Sequence, residues 1–105
     1  MQGPSSDERR ELSERYRAAV ERVSAILFKA DPMGIADNNP YTDEYAPEAQ
    51  RIIARSKEAD SRADLARITH EVFVEMFGPV SVGPASGYKK IAEDVWLVLQ
   101  ELRRR

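Results

Sequence analysis

The chain reads as an all-α, compact four-helix domain with a long acidic loop between its first and second helices. Three observations lead there. Outside residues 31–48 nearly everything reads as amphipathic helix, with apolar side chains recurring every three or four positions. Prolines and glycines gather into two breaker-rich stretches, one on either side of the middle of the chain. A length of 105 residues suits a single domain over 1–105, large enough for a core without disulfide or metal staples.

The first helix is expected over residues 6–30. Leu12, Tyr16, Ala19, Val20, Val23, Ile26, Leu27 and Ala30 fall within an arc of about 120° when wound at about 100° per residue. Glu14, Arg17 and Glu21 take the opposite face, and Glu11 and Arg15 are spaced for an i,i+4 pair. Ser5 or Ser6 suits the N-cap, residues 1–6 are expected to be flexible, and Asp7 and Glu8 sit where the helix dipole favours acids. Pro32 ends the helix, because a proline pushes the residue before it out of helical geometry. A shorter second helix is expected over 47–56. Pro47 fits its first turn, Glu48 meets the positive end of the dipole, and Tyr45, Ala49, Ile52 and Ile53 make the apolar face.

Ser61-Arg62-Ala63-Asp64 has the form of a capping box, with Asp in place of Glu, and opens a third helix. Leu65, Ile68, Val72, Phe73, Met76 and Phe77 line one side of it, and Gly78-Pro79 stops it. Residues 78–87, with Gly78, Pro79, Gly83, Pro84 and Gly87, read as a loop. The last helix begins near Ser86 and carries Tyr88, Ile91, Ala92, Val95, Leu99 and Leu102 on its inner stripe. Within it Val95-Trp96-Leu97-Val98-Leu99 leaves no polar side, so this helix is either central in the bundle or meets another subunit. Trp96, Leu97 and Val98 are therefore the candidate homodimer contacts.

Charge is unevenly spread. The net charge is −2, residues 31–48 hold five acids and no base, and the remainder therefore sums to +3. The 16 Lys and Arg residues are interleaved with acids along helices, which argues against a nucleic-acid interface. Arg103, Arg104 and Arg105 sit where a helix C-terminus favours cations. Without cysteine there is neither a disulfide nor a thiolate metal site. No apolar run is long enough for a signal peptide or a membrane span, so a cytoplasmic protein with no membrane partner is expected.

The acidic stretch is the candidate working surface. Asp31, Asp37, Asp43, Glu44 and Glu48 are oxygen donors of the kind Mg²⁺ or Ca²⁺ takes, but their spacing lacks the glycine and closing glutamate of a calcium loop. Asp and Asn also build turns through bonds to nearby amides. The third reading is a recognition patch: Asp37, Asn38, Asn39, Tyr41, Asp43 and Glu44 supply carboxylates that steer a basic partner and a tyrosine with large contact area. Tyr45 is expected in the core of the second helix instead. His70, the one histidine, lies on the flank of the third helix and reads as structural.

Asp31-Pro32-Met33-Gly34-Ile35, followed by Asp43-Glu44-Tyr45, Pro47-Glu48 and Ile52, resembles the YugE-like family of small bacterial proteins of unknown function. The resemblance implies a small helical domain and carries no activity with it. Ala30 stands where that family has a tryptophan before its Asp-Pro pair, and residues 1–11 lie outside the match. The same pattern is similar to small immunity or accessory proteins of bacterial competition systems, which present carboxylates and tyrosines to a basic toxin. The expected function is a non-enzymatic protein-interaction module, without cofactor or metal, docking a basic protein through the loop. The alternative is a small metal-dependent hydrolase or nucleotide-binding protein using the same carboxylates.

Overall fold

The computed structural model describes residues 6–33 and 45–103. Among these residues it is all-helical and compact, with no strand. The α-helices are α1 (Ser6–Ala30), α2 (Ala46–Arg55), α3 (Arg62–Phe77), α4 (Pro79–Val82) and α5 (Lys89–Arg103), joined in part by 3₁₀ turns at Ser56–Glu58 and Ala85–Tyr88. Of the stretch expected to be flexible, residues 1–5 lie outside the described residues, and Ser6 already belongs to α1. The capping expected of Ser5 or Ser6, and the cations at Arg104 and Arg105, also concern side chains that are not described.

Helices α1, α2, α3 and α5 close a ring in which each packs on the next and α5 returns to α1. Neighbours run in opposite directions, as the cross-links between them show. Tyr45 at the start of α2 bonds Asp31 at the end of α1. Arg51 and Arg55 on α2 reach Glu75 and Glu71 on α3, and Arg62 at the start of α3 pairs with Glu93 on α5. Arg22 on α1 meets Glu101 near the end of α5 at 2.9 Å. These surface ion pairs report geometry more than stability, being worth at most about 1 kcal/mol each.

The core is the set of inward stripes. Val23 and Leu27 of α1, Ala49 and Ile52 of α2, Leu65, Ile68, Val72 and Phe73 of α3, and Val95 of α5 are all fully buried. Phe73 is the hub of an aromatic cluster at one end of the bundle, 6.1 Å from the Tyr45 ring, 5.8 Å from Phe77 and 5.3 Å from Tyr88. The capping box forms at α3 in a modified way. Ser61 Oγ accepts the Asp64 amide, while the Asp64 carboxylate accepts the amide of Asp60 rather than that of Ser61.

Two expectations need correction. Among the described residues there are five α-helices, because the stretch read as a loop over 78–87 holds the single-turn α4 and a 3₁₀ turn. Pro79 presets the first turn of α4, and Gly78 and Gly83 bracket it at φ of +85° and +77°, backbone that other residues rarely adopt. Second, Leu12 and Tyr16 belong to the inner stripe of α1 by angle, yet are 57% and 49% exposed. At 25 residues α1 is about 38 Å long, whereas the 10 residues of α2 span about 15 Å, so the first half of α1 outruns its partners. Within the apolar run of α5 the sides are covered unequally. Packing on α1 and α3 leaves Trp96 and Val98 half-buried on the flanks and turns only Leu97 outward. No helix among the described residues is long and apolar enough to cross a membrane.

Candidate functional site

The structure describes the acidic stretch at its two ends, up to Met33 and from Tyr45 onward, and Asp31 and Tyr45 set the chemistry there. Asp31 follows the last residue of α1 with φ of +45°, a left-handed conformation that Asp tolerates better than most residues. That geometry lets its amide bond Leu27 O at 2.7 Å and closes the helix before Pro32. Tyr45 occupies the N-cap of α2 without making a side-chain cap. Its side chain instead points inward, with the ring buried beside Phe73.

The Tyr45 hydroxyl ties the two ends together. It donates to Asp31 Oδ1 at 2.7 Å and accepts the Met33 amide at 3.1 Å. One phenol thus bridges a carboxylate and a backbone donor across a gap of more than ten residues. Behind it, Tyr88 donates to Val82 O at 3.1 Å, and its hydroxyl lies 3.9 Å from the Met33 sulfur. Burial raises the Tyr88 pKa, which keeps the phenol protonated and able to donate. His70 Nε2 lies 2.8 Å from Gly83 O, a contact in which the nitrogen must be the donor, and its ring stands 5.5 Å from that of Tyr88. Met33, Tyr45, His70, Phe73 and Tyr88 therefore form one connected cluster at this end of the bundle.

Glu48, three residues after Tyr45, is the second acid of this stretch that the structure describes. It sits in the first turn of α2, is only 3% exposed, and leaves Oε2 without a hydrogen-bond partner. Burial raises its pKa, with its own backbone amide and Arg51 pulling the other way. The helix dipole explains why an acid is tolerated there, and desolvation explains why it is not comfortable.

Of the five acids that mark this stretch in the sequence, two are thus committed to the fold. Asp31 accepts from Tyr45, and Glu48 is buried. The recognition candidates Asp37, Asn38, Asn39, Tyr41, Asp43 and Glu44 lie outside the described residues. Trp96, Leu97 and Val98 sit on α5, with Trp96 packed in part against the core and Leu97 55% exposed. Among the described residues no group of three or more His, Cys, Asp or Glu side chains could hold a metal ion. Sequence reasoning missed the clamp itself. Its one available signal was a tyrosine at an N-cap, a position where Ser, Thr, Asp or Asn is the usual choice. Comparison with protein-family models, curated proteins and solved structures finds no match.

Proposed function

We propose that the protein is a non-enzymatic binding module that docks a basic protein through residues 34–44, whose flanking residues are joined at one end of a helical bundle. The observation that carries this reading is the clamp, in which the Tyr45 hydroxyl closes the segment's two ends on Asp31 and Met33. Tied ends lower the entropy a segment loses on binding, so more of its contact energy appears as affinity. The segment between them holds three acids and no base, Asp37, Asp43 and Glu44, beside Tyr41, Asn38 and Asn39. We assign these three carboxylates to steering a cationic partner. The resemblance to acidic immunity-type proteins points the same way.

The test is the triple reversal Asp37→Lys, Asp43→Lys and Glu44→Lys, with folding followed by circular dichroism. A partner identified by capture and mass spectrometry should bind the folded variant at least about tenfold more weakly, mainly through slower association at low salt. Unchanged affinity with an unchanged fold would remove the segment as the docking surface.

A further inference from the structure

We propose that the projecting half of α1 is a self-association surface on which the same stretch of a second copy lies in the reverse direction. The proposal is independent of the acidic segment. Along α1 the inner stripe passes Leu12, Tyr16, Ala19, Val23, Ile26 and Ala30, in alternating steps of four and three. That is the average spacing of about 3.5 residues that a coiled-coil seam requires. Burial along this one face changes abruptly. Ala19 is 6% exposed and Val23 is sealed, whereas Leu12 and Tyr16 are 57% and 49% exposed; at the far end of the stripe Ile26 is half-buried and Ala30 is exposed. The helix does not turn between them; its intramolecular partners run out. The last turn of α5 reaches α1 at Arg22, and Leu102 lies with Glu11, Glu14, Arg15 and Ala18 around a shallow groove of about 300 Å³.

Charge identifies the occupant. Flanking this face, Glu8 and Glu11 stand with Arg9 and Arg15, a net charge of zero, while Asp7, Arg10, Glu14 and Arg17 lie on the far side of the helix. Such a surface steers neither a polyanion nor a cationic protein; its complement is a surface with the same mixture of signs. The mixture is also directional. Before Leu12 the flanks carry Glu8, Arg9 and Glu11, net −1, and after it they carry Arg15, net +1. Reversed pairing sets the acidic half of each copy against the basic half of the other, whereas parallel pairing sets like on like. Parallel pairing would also bring both four-helix rings to the same end, where they collide. Reversed pairing carries them to opposite ends and covers Leu12 and Tyr16 of both copies about a two-fold axis.

The test uses the full chain. Sedimentation equilibrium over micromolar concentrations should show 11.9 kDa chains passing reversibly to twice that mass. The double variant Leu12→Glu, Tyr16→Glu changes only exposed positions, so it should keep the helical signal and dissociate at least about tenfold more readily. Leu97→Glu, on the outward side of α5, should dimerise as the parent does. Because the chain has no cysteine, Ser13→Cys and Ala25→Cys can each be spin-labelled cleanly. In a reversed pair the label separation at position 25 should exceed that at 13 by tens of ångströms, about 3 Å for each residue of added distance from the two-fold. A parent that stays monomeric, a double variant that still dimerises, a dimer lost with Leu97→Glu, or equal label separations would each overturn the proposal.

Discussion

Tyr45→Phe isolates the clamp, because it keeps the buried ring beside Phe73 and deletes one oxygen. That oxygen makes a 2.7 Å bond to a carboxylate and a 3.1 Å bond from an amide. A hydrogen bond to a charged group contributes about 1.5–3 kcal/mol net and a neutral one about 0.5–1.5 kcal/mol. Both partners are only partly buried, so water recovers some of the loss, and about 2 kcal/mol of destabilisation is expected. For a domain of this size that corresponds to a fall in Tm of about 10 °C. Urea denaturation should show the midpoint moving down at constant slope. Hydrogen exchange at the Met33 amide should accelerate more than at core amides, since the clamp opens before the bundle does. A double-mutant cycle with Asp31→Asn, a residue that also tolerates the left-handed backbone there, should return a coupling of about 1 kcal/mol or more. A loss below about 0.5 kcal/mol, with Met33 exchange unchanged, would mean that the hydroxyl trades its partners for water at no cost and ties nothing together.

Other perturbations test the rest of the frame. Phe73→Ala empties the hub of the aromatic cluster and should cost about 3–5 kcal/mol by chemical denaturation, more than any other single truncation in α3. Ser61→Ala removes the acceptor for the Asp64 amide and should cost about 1 kcal/mol, recovered in large part by Ser61→Asp. Glu48→Gln addresses the buried acid. Its raised pKa means that the native state holds a proton the unfolded state has released, so stability falls as pH climbs through the window between the unfolded and the native value. The glutamine variant should lack that fall and melt a few degrees higher than the parent at pH 7; parallel melting-versus-pH curves would refute this. A thermal-shift series with Mg²⁺, Mn²⁺ and Ca²⁺ examines the alternative use of the carboxylates, because a cation held only by the native state raises Tm.

Much of the fold was legible in the residues. The limits of α1 and the stops of α1 and α3 follow from Pro32 and Gly78-Pro79, which act locally and need no partner. The start of α3 follows from Ser61 and Asp64 in the same way. Less was legible wherever an outcome depended on which neighbour stood opposite. Leu12 and Tyr16 have the right angle for burial, but angle does not say whether another helix is long enough to arrive. Tyr45 reads as a core residue and is one, yet its hydroxyl answers to Asp31 and Met33, which no periodicity connects to it. Glu48 reads as a favourable first-turn acid, whereas its burial turns the balance against the charged form.

By itself the sequence determined the all-helical class, the positions of the principal helices and the gathering of negative charge between α1 and α2, since these depend on propensity, breakers and composition within a few neighbouring residues. Only the tertiary structure decided that Asp31 and Glu48 serve the bundle, that the Tyr45 hydroxyl joins Asp31 to the Met33 amide, and that Leu12 and Tyr16 stand exposed among the described residues. Those outcomes turn on the relative lengths of helices far apart in the chain and on polar atoms meeting across the interior, and neither quantity is encoded at any single site.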